Sequence, residues 1–216
     1  MKTLKTLKTG LVTLVALALG IASVQATTYD NSSISSGIVT FGNSNTATYG
    51  QTFTAPGGVL DSWTFYLQNE YVTPQNFEFF VFGWNGSSAT GPALYQSSLQ
   101  TVTPSETAYT PFTVNPNLAL TAGQQYVMFI NESGLNGSTD GFIAQGGSGS
   151  SPLGGEFVYL NNGDDFSQVT STAWKTYVFS DSAYIADFSS GVPDGGMTLA
   201  MLGAAVSGLS FLRRKH

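Results

Sequence analysis

Short runs of β-branched and aromatic residues alternate with a period of two throughout the central part of the chain. The run VLDSWTFYLQN, for example, places Trp63, Phe65 and Leu67 on one face of an extended strand. A helical period of 3.6 residues is not sustained over any long stretch. This pattern predicts an all-β fold.

Residues that favour turns separate these runs, because glycine and asparagine tolerate positive φ. The clusters are PGG at 56–58, NGSS at 85–88, NGSTDG at 136–141, GGSGSSPLGG at 146–155 and NNGDD at 161–165. About ten short strands with this spacing predict an antiparallel β-sandwich that resembles a jelly roll. The run NFEFFVFGW is apolar on both faces, which indicates a central strand or one that carries an aromatic patch.

Charge and residue usage exclude several classes of function. The chain has no cysteine and one histidine, His216, so Ser-His-Asp and Cys-His nucleophiles and the usual zinc sites are excluded. Lys175 is the only positively charged residue between the leader and the C-terminal tail. That central region also contains 12 of the 13 aspartate and glutamate residues. Such a surface repels phosphate backbones, and we expect no nucleic-acid partner.

The N-terminus has the pattern of a secretory signal peptide. Three lysines lie within the first eight residues, and the apolar run 11–24 follows them. Val24 and Ala26 place small side chains at the −3 and −1 positions of a signal peptidase site. We therefore expect residues 1–26 to be a removed leader, with an uncleaved N-terminal anchor as the alternative.

The rest of the chain divides into four segments. We expect a β-domain at 27–187 and a linker with a sorting motif at 188–196. A transmembrane segment at 197–212 would follow, with a basic tail at 213–216. The apolar segment spans about 24 Å as a helix, so local thinning of the ~30 Å hydrocarbon layer would help it to insert. The stop-transfer residues Arg213, Arg214 and Lys215 stay cytoplasmic by the positive-inside rule, which leaves the domain outside the inner membrane.

The stretch Val192, Pro193, Asp194, Gly195 and Gly196, followed by an apolar segment and a basic end, resembles the PEP-CTERM class of bacterial sorting signals. It is most similar to the VPDSG-CTERM variant, with Gly195 where the family name has serine. The resemblance implies recognition at this motif by an exosortase in a Gram-negative bacterium. It also implies a protein that is first anchored in the membrane, later reaches the surface or the extracellular space, and is associated with exopolysaccharide. An ordinary tail anchor is the alternative.

Our main hypothesis is a non-enzymatic exported protein of the cell surface or extracellular matrix. The first alternative is a carbohydrate-binding module, since the planar rings of Trp63, Trp84 and Trp174 could stack on sugars. Trp84 is the best candidate because the NGSS turn follows it. In the competing interpretation all three tryptophans are core residues.

Two further hypotheses rest on oxygen-bearing side chains. Asn161, Asp164 and Asp165 in NNGDDF, and Asp140 in STDGF, are hard ligands that suit a structural calcium ion, although Asx turns explain the same residues. A glycoside hydrolase would need two carboxylates at catalytic separation. The candidates for that pair are Glu78, Asp140, Glu156, Asp164 and Asp165.

Lys175 carries a separate hypothesis. A lone lysine on a strand could form an intramolecular isopeptide bond to an asparagine or aspartate. In the simpler interpretation, Lys175 points to solvent.

Overall fold

The computed structural model describes residues 26–190, except 39–41, 43–44, 70–71, 106–107, 137–142 and 177–180. Val24, Asp140, the sorting motif at 192–196, the apolar segment at 197–212 and the basic residues 213–215 lie outside the described residues. Within the described part of the chain, no helix has the length and apolar character needed to cross a membrane.

The described residues form fifteen strands and one short helix. In chain order they are β1 (Ala26–Asp30), β2 (Ser36–Gly37), β3 (Thr48–Thr54), β4 (Gly58–Asn69), β5 (Gln75–Trp84), β6 (Ala89–Gln96), β7 (Gln100–Val102), β8 (Thr110–Val114), β9 (Leu118–Leu120), β10 (Gln125–Asn131), β11 (Ile143–Ser148), β12 (Phe157–Leu160), α1 (Gln168–Ser171), β13 (Lys175–Thr176), β14 (Asp181–Ser182) and β15 (Tyr184–Ser189).

The strands form two sheets. The first has the order β1-β15-β4-β11-β14, with β8 and β9 also paired to β4 and β2 paired to β11. The second has the order β13-β12-β3-β10-β5-β6, with β7 also paired to β5. All of these strand pairs are antiparallel, so the predicted all-β class is confirmed.

The main core lies between the two sheets. Trp63, Phe65 and Leu67 of β4 are fully buried, as the period-two pattern predicts. Phe65 stacks on Phe79 of β5, in the opposite sheet, with a centroid distance of 5.8 Å. The aromatic side chains of both inner faces therefore supply much of the buried apolar area that holds the sheets together.

A second apolar cluster covers the outer face of the second sheet. Phe80 and Phe82 of β5 are buried there and pack against Phe129 of β10. The segment 161–174, which includes α1, covers them. Because β5 is paired on both sides and buried on both faces, the first of the two interpretations of NFEFFVFGW, a central strand, is confirmed.

The glycine-rich stretch at 146–155 is not entirely a loop, contrary to prediction. Residues 146–148 belong to β11, where Gly147 pairs with both Ser36 and Ser182. A Cβ at Gly147 would lie 3.2 Å from the Ser36 hydroxyl oxygen, so a glycine here permits a close approach of the two strands. The composition predicted a turn because glycine is found both in turns and in strands whose backbones approach closely.

The two ends of the domain meet in one strand pair. Ala26 of β1 lies opposite Ser189 of β15, and β15 also pairs with β4. Because β15 continues to Ser189, the linker does not begin at 188 as predicted. Phe188 is 3 % exposed and belongs to the core.

Candidate functional site

The three tryptophans do not form one platform. Trp63 is fully buried between the sheets, where it stacks on Tyr184 with a centroid distance of 4.5 Å. Its ring faces are therefore covered by protein, and Trp63 cannot stack on a sugar in this structure. This placement corrects the inclusion of Trp63 among the carbohydrate-binding candidates.

Trp84 and Trp174 lie together on the outer face of the second sheet. Their rings meet edge to face at a centroid distance of 5.6 Å. Trp174 is 7 % exposed, packs edge-on against Phe129, and donates its indole N–H to the carbonyl of Val169 at 2.9 Å. Trp84 is only partly buried. Trp84 is thus the least buried of the three tryptophans, although it also packs against the second apolar cluster.

The NGSS turn holds Trp84 in this position. The side-chain oxygen of Asn85 accepts hydrogen bonds from the backbone N–H groups of Ser87 and Ser88 at 2.9 and 2.8 Å. The carbonyl of Ser87 accepts the backbone N–H of Trp174 at 2.8 Å. The polar turn that was predicted beside Trp84 is therefore present. Its hydrogen bond to Trp174 links β5 to the segment 161–174, which covers the second apolar cluster.

The residues proposed for calcium already have protein partners. Asp165 accepts hydrogen bonds from Ser167 and Gln168, and these bonds lower the pKa of its carboxyl group. Asp164 accepts the backbone N–H of Gly134 at 3.1 Å, and Asn161 accepts the hydroxyl of Thr46 at 2.7 Å. Only Asp165 caps its own turn, as in the Asx-turn interpretation. Asn161 and Asp164 instead bind residues that are distant in sequence and tie the segment after β12 to the segments before β3 and after β10.

No cluster of three or more acidic, histidine or cysteine side chains suited to a metal ion occurs among the residues that the structure describes. Asp140, the fourth calcium candidate, lies outside them.

The remaining carboxylates proposed for hydrolysis are on the surface. Glu78 accepts a hydrogen bond from Gln96 at 2.9 Å, and Glu156 is exposed. A general acid needs a pKa raised toward neutrality, whereas the hydrogen bonds at Asp165 lower its pKa. Asp165 therefore has the wrong electrostatic environment for that role.

Sequence reasoning missed Glu132, whose pKa is the most perturbed among the carboxyl groups that the structure describes. Glu132 is fully buried, and burial raises its pKa well above the usual value. One carboxyl oxygen, Oε2, accepts a hydrogen bond from Asn136 at 3.0 Å, whereas Oε1 has no hydrogen-bond partner. A general acid must also reach its substrate, and the burial of Glu132 denies it that access.

Glu132 lies at a polar end of the main core. Asn136 links it to β5, because the Asn136 side chain both accepts from the backbone N–H of Asn76 and donates to the Asn76 carbonyl, each at 2.8 Å. Gln75, next in the chain, is also buried and has an unpartnered Oε1. The period-two pattern could have revealed Glu132, since it continues the inward face of Met128 and Ile130.

Lys175 is exposed on β13, directly opposite Tyr159 of β12. This position agrees with the simpler interpretation, in which the ammonium group faces solvent.

Comparison with known families addresses the C-terminal tail rather than the folded domain. The family model for the VPDSG-CTERM motif matches residues 191–216. The chain carries a VPDSG-CTERM sorting signal. This signal is a variant of the PEP-CTERM type that exosortases process. No curated protein matches the chain.

The VPDSG-CTERM signal follows the folded domain almost at once. β15 ends at Ser189, so only Ser190 separates the last strand from the matched region. The signal implies export, a membrane-anchored intermediate, and processing by an exosortase-like enzyme before the protein reaches the surface.

Proposed function

We propose that the chain is a non-enzymatic exported protein of the cell surface or extracellular matrix, associated with exopolysaccharide in a Gram-negative bacterium. Its leader, residues 1–26, is removed on export. Residues 197–212 then hold a single jelly-roll-like sandwich at the inner membrane until cleavage near Val192–Gly196 releases it from the anchor.

The observation that carries this proposal is the VPDSG-CTERM match at 191–216, placed directly after a folded β-domain. Pro193 prevents a helix from extending back through the motif, and the two following glycines keep the backbone accessible to a protease. A structural role is supported by residue usage, since the chain has no cysteine and its single histidine is in the tail.

The proposal is tested by expressing the protein in its host with and without residues 197–216. Cell fractions and the C-terminal mass of the mature protein are then compared. We expect the wild type to lose its tail and to reach the surface, and the shortened chain to be exported without a membrane-bound stage.

A motif variant sharpens this test. Pro193→Ala should leave the tail intact and the protein in the inner membrane, whereas Ser190→Ala, just outside the matched region, should be processed normally. An intact tail on the wild-type protein would reduce the signal to an ordinary anchor.

We propose carbohydrate binding through Trp84 as a second candidate function. It is supported by the partial exposure of Trp84 beside the polar turn at 85–88, an arrangement in which a flat apolar ring adjoins hydrogen-bonding groups. The ligand would be a polysaccharide chain of the matrix in which the protein resides.

Binding to exopolysaccharide isolated from the host tests this candidate. Trp84→Ala should abolish binding, whereas Tyr66→Ala, which removes a partly exposed aromatic ring from the other sheet, should not. Both variants should unfold at temperatures close to the wild type. Equal binding by the two variants, or no binding by the wild type, would disprove a role for Trp84.

A further inference from the structure

Both ends of the described chain leave the domain at the same corner. Ala26 pairs with Ser189, and Ser189 pairs in turn with Val59 near the start of β4. The apolar run of the leader ends at Val24, only two residues before Ala26. Once the leader is removed, the new N-terminus at Thr27, which pairs with Phe188, therefore lies beside the point where the C-terminal tail leaves the domain.

Two turns that connect the sheets complete this corner. The turn at 55–58 joins β3 to β4, and the turn at 121–124 joins β9 to β10. They pack against each other, since the backbone N–H of Ala55 donates to the Gln124 carbonyl and that of Gly123 donates to the Ala55 carbonyl. We call Thr27, Ser189 and the turns 55–58 and 121–124 the terminal corner.

The terminal corner carries no ionisable side chain. Its turns have the sequences APGG and TAGQ. Carboxylates lie close to it: Asp61 accepts a hydrogen bond from Ser189 of the corner itself, and Asp187 accepts from Thr28 and Ser62. The exposed Glu156 lies beside the end of β3. The turns of the corner therefore add no charge of their own, and the carboxylates beside it act through a salt-screened repulsion that falls as ionic strength rises.

The opposite end of the domain is acidic. Glu78 pairs with Asn131 at that end, and Asp164 bonds to Gly134 in the connection that follows β10. Asp165, which is next to Asp164 in the segment after β12, accepts the backbone N–H of Ser167. The tail leaves the domain at Ser189, so the terminal corner is the end that is held nearest the bilayer, and the acidic opposite end is held away from it.

We propose that the terminal corner is a membrane-facing surface, which rests against the headgroups of an anionic bilayer while the tail is still inserted. The inference rests on the proposed function, since it needs residues 197–212 in the membrane. Seven residues, 190–196, join Ser189 to that segment. They span at most about 25 Å when fully extended, so the corner stays close to the bilayer.

Fluorescence quenching by lipids with a nitroxide at the headgroup tests the orientation. The chain has no cysteine, so single cysteines accept one label each. Gln124→Cys places the label at the terminal corner, and Val72→Cys, at an 83 % exposed residue, places it beyond the far end of β4. The twelve residues of β4 separate the two ends by about 36 Å.

The full chain is reconstituted in vesicles of phosphatidylethanolamine and phosphatidylglycerol. A chain without residues 197–216 supplies the background. We expect the label at position 124 to be quenched several-fold more strongly than the label at position 72.

The outcomes separate the two proposals. If the chain does not sediment with the vesicles, the anchored intermediate is wrong and the membrane-facing corner fails with it. If it sediments but the two labels are quenched equally, or position 72 is quenched more, the anchor stands and only the orientation is refuted.

Discussion

Glu132 is a buried carboxyl group with a single hydrogen-bond partner, and this environment links its ionisation to folding. Burial raises its pKa in the folded protein, whereas in the unfolded chain the group titrates near its ordinary value. As pH rises through the unfolded value, the unfolded state loses a proton that the folded state retains. Stability from this group is therefore greatest in acid and falls as pH increases toward the folded pKa.

Glu132→Gln should remove this dependence, because the amide mimics the neutral acid and its oxygen can still accept from Asn136. We expect the variant to equal the wild type in the free energy of unfolding at low pH and to exceed it at neutral pH. Urea denaturation at several pH values measures this difference. Glu156→Gln, at an exposed carboxylate, is the control, and a parallel pH dependence of all three proteins would contradict the assignment.

Trp63 and Trp84 differ in burial, so truncation should affect them differently. Trp63→Ala should cost about 3–5 kcal/mol, because it opens a cavity beside Tyr184 in the main core. Trp84→Ala should cost clearly less, since part of the ring already contacts water. Chemical denaturation of the two variants gives the comparison, and equal losses would show that Trp84 is a core residue after all.

At the scale of single elements, the close packing of β3 against β10 depends on Gly50. A Cβ at this position would lie 2.8 Å from the Phe129 Cβ and 3.0 Å from the Met128 carbonyl oxygen. Both contacts are tighter than side chains tolerate, and Phe129 is held in place by its stacking on Phe80 at 5.2 Å. The aromatic cluster on the outer face thus needs a glycine in the neighbouring strand.

Gly50→Ala should destabilise the domain by roughly 1–3 kcal/mol through overpacking. Gly149→Ala is a matched control, because a Cβ there would meet nothing within 4 Å. Thermal unfolding of both variants tests the prediction. A Gly50→Ala protein as stable as the control would mean that β3 and β10 can separate without loss.

For the whole molecule, β1 and β15 decide where the domain ends. β15 lies between β1 and β4, and its side chains Tyr184, Ala186 and Phe188 are buried. Tyr29 of β1 packs edge-on against Phe188 at a centroid distance of 5.8 Å. The last strand before the sorting signal is therefore part of the core rather than a tether.

Chains that end at different residues should show this boundary. A chain of residues 27–190 should fold cooperatively, whereas one of residues 27–183 should not, because it lacks the strand that joins β1 to β4. Circular dichroism and resistance to proteolysis distinguish the two. Cooperative folding of the shorter chain would show that β15 is dispensable and that the domain ends earlier.

The sequence alone determined the features that depend on local patterns. Alternation with a period of two identified the inward face of β4 and the doubly buried β5, because successive side chains of any strand point to opposite sides. The motif at 192–196 could be recognised from the sequence because a sorting signal is a short linear element.

Only the tertiary structure decided which distant residues meet. The full burial of Trp63, the partial burial of Trp84, the enclosure of Glu132 and the pairing of Ala26 with Ser189 all follow from how the strands pair and pack. Thr28 and Asp187 form a hydrogen bond across 159 positions of sequence. Contacts of that kind depend on which strands pair and how the two sheets pack around a shared core. The pattern within a single strand does not specify this arrangement.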